Sequence, residues 1–226
     1  HQIMKRLQLF SIALLLLSAT VFAQTNAVVM TYNIRLNVAS DGENWWENRK
    51  EKVAALMNYY EADFIGAQEV LPEQLVYLRS AMPRYASIGV GRDDGKEKGE
   101  FSCILYDRSK YQLVTQGTFW LSQTPDRVSM GWNAVCNRVC TYGLFEHIKT
   151  KNKLWVFNTH FDHVGDTARI ESAKLIIQKI KQLTGAQRYP VVLMGDFNSQ
   201  PADAPLQYIS QHLNNGRTVS VLPPYG

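Results

Sequence analysis

Hydrophobic residues in this chain fall into two kinds of run that alternate along it. Short unbroken or period-two apolar stretches occur at Val28–Asn33, Asp63–Gln68, Tyr85–Val90, Phe101–Tyr106, Tyr111–Leu121, Arg138–His147, Lys153–Asn158 and Val191–Met194. Such runs predict strands, and an unbroken one such as Val191–Met194 predicts a strand buried on both faces. Two longer segments carry the helical period. Trp46–Tyr60 places Val53, Leu56, Met57 and Tyr60 on one stripe, and Thr167–Leu183 places Ala173, Ile176, Ile177, Ile180 and Leu183 on one face, with Asp166 as its cap. Pro72 opens a shorter helix toward Met82, and Pro205 opens another through Gln211. The charged loop Gly91–Glu100 joins two strands that read as a hairpin, and Thr218–Leu222 reads as one more strand. Strand–helix alternation mixed with hairpins predicts an α/β fold with mixed sheets. No internal repeat and no linker divides it.

At 226 residues a single domain with a large core is expected. Residues 1–23 read as a secretory signal peptide. Lys5 and Arg6 form its basic region, Leu7–Ala19 its apolar core, and Val21-Phe22-Ala23 its cleavage site before Gln24. The apolar core is short for a membrane anchor and lacks a stop-transfer flank. The protein is therefore expected to be secreted or periplasmic, with residues 24–226 as the working domain. Three residues, His1-Gln2-Ile3, precede the first methionine, Met4, so the written start reads as non-native. Without Lys5 and Arg6 the 24 basic residues become 22, against 20 acidic ones. That balance is too even to argue for nucleic acid from the overall field. Cys103, Cys136 and Cys140 are an odd number for an exported chain, and all three read as buried thiols or loop residues.

Polar residues recur where the hydrophobic strands end. Asn33 closes the first, Glu69 the second, His160 a later one, and Asp196 with Asn198 the last; Arg138 starts another. Gly195 lets the chain turn or pass close to a neighbour. Asp196 and Asn198 point the same way if the backbone stays extended. Each residue has an ordinary explanation: an Asx-turn, a cap for the Pro72 helix, a core histidine, a surface charge. Together they suit a phosphate ester. Glu69 and Asn33 offer oxygen to a hard cation, an aspartate orients and deprotonates water, and a histidine and an arginine steady phosphoryl oxygens. No phosphate-cradling glycine loop and no nucleophile elbow are present.

Four stretches make the resemblance specific: Met30-Thr31-Tyr32-Asn33-Ile34-Arg35, Gln68-Glu69-Val70, Asn158-Thr159-His160-Phe161-Asp162-His163 and Gly195-Asp196-Phe197-Asn198. In that order they resemble the motifs of the endonuclease/exonuclease/phosphatase superfamily, to which pancreatic deoxyribonuclease belongs. Asp41–Arg49, Gly89–Gly95 and Asn158–Arg169 are most similar to an exported bacterial branch. The resemblance implies a four-layer sandwich of two packed mixed sheets flanked by helices. It implies Glu69 and Asn33 at a Mg²⁺ site, with Mn²⁺ as an alternative. His160, Asp196 and Asn198 become catalytic, and Arg138, Asn198 and His160 bind the phosphate. The implied function is a monomeric, metal-dependent phosphoesterase acting on a nucleic acid, nucleotide, lipid head group or sugar phosphate. A sphingomyelinase-like hydrolase, with Trp45 and Trp46 dipping into lipid, and a non-catalytic binding module are the alternatives; core packing is the plainer role for the tryptophan pair. The superfamily also ends in an Asp and a Ser-Asp-His motif, which nothing after Asn198 supplies. The expectation is a C-terminally truncated domain, lacking its last strands and inactive by itself.

Overall fold

The computed structural model describes residues 26–187 and 189–219. The expected leader, and residues 220–222 of the expected last strand, lie outside the described residues. In chain order the elements are β1 (Val29–Asn33), a 3₁₀ segment (Ala39–Asn44), α1 (Trp46–Tyr60), β2 (Phe64–Val70), α2 (Pro72–Ala81), β3 (Tyr85–Ile88), β4 (Phe101–Asp107) and β5 (Tyr111–Trp120). They continue with β6 (Val139–His147), β7 (Lys153–His160), α3 (Asp166–Thr184), β8 (Val191–Asp196), α4 (Ala204–Ser210) and α5 (Gly216–Val219).

The strands form two sheets, ordered β1-β2-β4-β3 and β5-β6-β7-β8. In each sheet one pair is parallel, β1 with β2 and β7 with β8, and the others are antiparallel. The sheets pack face to face through Phe64, Ile88, Ile104, Phe145, Val156 and Met194. α1 and α2 cover the outer face of the first sheet through Val53, Met57, Leu75 and Leu78. α3 and α4 cover the second through Ile176, Ile177, Ile180 and Ile209. The result is the expected four-layer α/β sandwich.

One buried amide stitches the two sheets together. Asn158 on β7 donates from Nδ2 to the carbonyls of Ala67 and Cys103, at 3.0 and 2.8 Å, and accepts at Oδ1 from Gln68 Nε2 at 2.7 Å. Every polar atom of this fully buried side chain is paired, as a dry interior demands. Gly66 makes room for it, since a Cβ there would lie 2.7 Å from Asn158 Oδ1.

Several local expectations change. In α1 the buried set is Trp46, Val53, Ala54 and Met57, whereas Leu56 and Tyr60 are 38% and 57% exposed. The face turned inward is rotated toward Trp46, which is 1% exposed. Trp45 packs against the same core and donates its indole N–H to Asn37 at 2.7 Å. The tryptophan pair therefore packs in the core. Among the described residues β8 lies at the edge of its sheet and only Met194 in it is buried, so here its apolar run does not mark burial on both faces. Gly165 is the cap residue of α3, with Asp166 inside the first turn bonded to Arg169. Residues 218–219 are helical, in α5, because the turn at Asn215 accepts the N–H groups of Thr218 and Val219. The cysteines are unpaired; Cys103 and Cys140 are buried and Cys136 half-buried. Burial pushes the Cys103 thiol up to about 12.

Candidate active site

Register explains why the polar strand ends meet. β1 and β2 run parallel with Asn33 opposite Gln68, so Asn33 and Glu69 emerge at the same edge. β7 and β8 run parallel with His160 directly opposite Asp196. Sheet packing brings the two pairs together across the seam. The first pair is refined by a bulge between Ala67 and Val70, within which Glu69 takes a left-handed φ of 61°. A bulge re-aims a side chain, and a non-glycine residue held at positive φ marks a site where the surroundings fix the backbone. The Pro72 helix is capped by Gln74, whose Oε1 accepts from Leu71 N at 3.0 Å, leaving Glu69 to the site.

Asn33 is the hub. Its Nδ2 donates to Glu69 Oε1 at 2.7 Å and to Asp196 Oδ2 at 3.0 Å. Its Oδ1 accepts from Arg35 N at 2.9 Å. The oxygen that the sequence offers to a cation is thus turned back on its own loop, and the nitrogen ties two carboxylates together. Glu69 Oε2 also accepts from Leu36 N at 3.0 Å. Asp196 Oδ1 accepts from Asn198 N at 3.0 Å. Burial pushes the Asp196 carboxyl up, but the bonds from Asn33 and Asn198 N, with His160 and Arg138 nearby, hold it below its ordinary value.

The end of β8 is an Asx-turn as well as a site. Asn198 has φ 43°, so the backbone beyond Asp196 is not extended and the two side chains do not simply alternate. Asn198 Nδ2 reaches His160 Nε2 at 3.1 Å and the Phe161 carbonyl at 2.9 Å. Gly195 passes close to β7: a Cβ there would overlap the Thr159 carbonyl oxygen.

His160 is buried, and its Nε2 lies 3.8 Å from Asp196 Oδ2. Burial lowers its pKa to about 4; the Arg138 charge adds to this, and Asp196 and Glu69 oppose it. At neutral pH the ring is uncharged. Accepting from Asn198 at Nε2 leaves its proton on Nδ1, which is 4.0 Å from Glu100 Oε2.

Arg138 is 5% exposed, far from a surface charge. It lies 3.5 Å from Asp162 Oδ2 and 2.9 Å, through Nη2, from His163 Nδ1. Asp162 in turn accepts from the backbone N–H groups of Val135, Val164 and Gly165. Sequence reasoning gave no role to Glu100 or Arg92. Glu100 accepts from Arg92 Nη1 and Nη2 at 2.9 and 2.8 Å and faces His160. The available signal was a charged loop running straight into the buried strand β4. Arg138 Nε and Nη1, Arg92 Nε and His160 Nδ1 are buried without a hydrogen-bond partner among the described residues. Such a cluster of unpaired buried donors is unusual, since most buried polar groups in proteins are hydrogen-bonded.

Beside this cluster a cleft of about 620 Å³ opens, lined by Asn33, Gln68, Asp196, Asn198 and Asp203 among others. Among the described residues no three His, Cys, Asp or Glu side chains form a ready metal cage. The ligands on offer here are the hard oxygens of two carboxylates, Glu69 and Asp196, held together by the Asn33 amide nitrogen. That fits Mg²⁺, which takes one or two carboxylates and fills its other positions with water and substrate oxygens.

Comparison with known proteins agrees with this geometry. The family model described as "Endonuclease/Exonuclease/phosphatase family" matches residues 30–224. A mannosyl-6-phosphatase structure from Bacteroides thetaiotaomicron is 40% identical, with a TM-score of 0.81, over 82% of this chain and 70% of that one. A protein of Acanthamoeba polyphaga mimivirus is 26% identical over 68% of this chain and 59% of its own length. Bos taurus tyrosyl-DNA phosphodiesterase 2 is 25% identical over 66% of this chain and 36% of its own. The chain thus spans less than two thirds of these curated relatives. The chain belongs to the endonuclease/exonuclease/phosphatase family.

Proposed function

We propose that this protein is an exported, divalent-metal-dependent phosphoesterase, hydrolysing a phosphomonoester or phosphodiester by attack of an oriented water on phosphorus. The observation that supports this most is the single Asn33 nitrogen bonded to both Glu69 and Asp196, with His160 one contact further on. Asp196, ionised and held at both oxygens, orients the water and draws on its proton. Asn198 holds His160 and offers the same N–H to a phosphoryl oxygen when substrate enters. Arg138, anchored by Asp162, supplies fixed positive charge for the phosphoryl oxygens. Glu69 would hold Mg²⁺, or Mn²⁺, with Asn33 keeping the carboxylate in place. When bound, the ion supplies Lewis-acid stabilisation of the developing charge.

Membership of the family and the names of similar proteins, one a phosphatase and one a phosphodiesterase, support a phosphate ester as substrate and leave open which kind. A panel of mono- and diesters, assayed with the full-length gene product, tests the reading. Chelation with EDTA is expected to abolish turnover and Mg²⁺ to restore it; turnover that survives exhaustive chelation contradicts the metal assignment. Export rests on the leader alone. Expressed from Met4 in a Gram-negative host, the mature protein is expected to begin at Gln24, and exported material that retains Met4 would disprove the cleavage.

A further inference from the structure

The motif over residues 158–163 contains two histidines. His160 belongs to the proposed mechanism; His163, three residues on, has no role in it.

His163 is exposed, yet the turn that carries it is fixed. Asp162 Oδ1 accepts from Val164 N at 3.0 Å and from Gly165 N at 2.7 Å, an Asx-turn that brackets His163. Asp162 Oδ2 accepts from Val135 N at 3.1 Å, which ties the turn to the loop leading into β6. From α3, Arg169 Nη1 donates to the Asp162 carbonyl at 3.1 Å. The turn after β7 is thus anchored to elements on both sides of it.

This turn holds the His163 ring against Arg138. Arg138 Nη2 lies 2.9 Å from His163 Nδ1. A guanidinium has no acceptor, so Arg138 donates and Nδ1 accepts, which puts the ring proton on Nε2. Arg138 Nε faces Asp162 Oδ2 at 3.5 Å, an ion pair longer than a good hydrogen bond. The guanidinium is planar, so holding Nε and Nη2 also fixes the direction of Nη1. Among the described residues Nη1 is buried and has no hydrogen-bond partner.

The two holds differ in kind. Asp162 is a carboxylate that also serves three backbone N–H groups. His163 accepts as a neutral ring. It fixes the fork without subtracting from the positive charge that Arg138 offers to an anion. A second carboxylate in its place would hold the guanidinium as firmly and weaken that field.

We propose that His163 is a positioning residue for phosphate binding: it accepts from Arg138 Nη2 and so aims Nη1 at a phosphoryl oxygen. The proposal rests on the phosphoesterase reading above, which gives Arg138 to the phosphoryl group.

The test measures binding of inorganic phosphate to the full-length gene product by calorimetry in Mg²⁺, and kcat/KM on a phosphoester that the wild type turns over. His163→Phe keeps a ring and removes the acceptor. His163→Asn restores the acceptor, because Asn Oδ1 is as many bonds from Cα as His Nδ1. The side chain is exposed, so both variants are expected to fold and to melt close to the wild type. His163→Phe is expected to weaken phosphate binding about tenfold and to lower kcat/KM as much, the size of a lost hydrogen bond to a charged group. His163→Asn is expected to lose no more than about threefold on either measure. In an Arg138→Lys background, which lacks the planar fork, His163→Phe should cost at most about twofold more. Unweakened binding in His163→Phe, or equal losses in His163→Phe and His163→Asn, would overturn the assignment. So would a further tenfold loss in the Arg138→Lys background, which would show that His163 acts independently of Arg138. In each of these cases wild-type binding and turnover leave the phosphoesterase reading standing. A wild type that neither binds phosphate nor hydrolyses any phosphoester would remove both.

Discussion

At the scale of single residues, the carboxylates of the site are held by hydrogen bonds centred on Asn33. Asn33 spends its nitrogen on two carboxylates and its oxygen on the backbone, so its contribution is alignment. Asp196→Asn preserves shape but removes the charge that orients water. It is expected to lower kcat by about 10²–10⁴-fold, the usual worth of a positioned proton-transfer group; a near-wild-type rate on every substrate would exclude the role. His160 makes a separate, pH-dependent prediction. Its folded pKa of about 4 lies below the ordinary value of 6.5, chiefly through burial. The folded state therefore binds fewer protons than the unfolded one between these values, so the neutral ring's contribution is complete above pH 6.5 and is lost as pH falls toward 4. Melting temperature should decline across that window, and His160→Gln should flatten the decline. An unchanged slope in the variant would show that His160 is not buried as described.

Among the secondary-structure elements, the informative ones are those that cross the seam between the sheets. Asn158→Leu removes partners from the Ala67 and Cys103 carbonyls and from Gln68 Nε2. Each buried polar group left unpaired costs about 1–3 kcal/mol, so denaturant unfolding should show one of the larger single-site losses in the molecule. A loss below about 0.5 kcal/mol, the range of ordinary surface changes, would contradict the stitch. Gly195→Ala is expected to weaken β8, because its Cβ would strike the Thr159 carbonyl. These features mark the limit of what the sequence discloses. The α1 range and the strand centres were legible from period and apolar runs, since those patterns record local geometry. The half-exposed state of β8 was not, because an apolar run does not say how many neighbours its strand will have. The turn at Asn198 overrode the alternation that extended backbone would have given. Asn158 was visible inside a motif, yet its purpose depends on partners 55 and 91 residues away.

For the whole molecule, the fold is a device for bringing two parallel strand pairs, one from each sheet, to a common edge. Neither sheet holds the site alone: Asn33 and Glu69 come from one, His160 and Asp196 from the other, and Asn33 Nδ2 bridges them. The membership of this set was legible because each residue ends a strand inside a recognisable motif. Glu100 and Arg92 were not, because a charged loop gives no sign of which side chain folds back over a buried histidine. Weakening the seam should therefore weaken function, even where no site residue changes. The measurement that bears most directly on this account is Mg²⁺-dependent phosphate-ester hydrolysis by the full-length gene product, with Glu69→Gln and Asp196→Asn assayed in parallel. The account predicts turnover by the wild type that EDTA abolishes, loss of turnover in each variant and of Mg²⁺ response in Glu69→Gln, with the fold intact by circular dichroism. Wild-type turnover retained by either well-folded variant would contradict it.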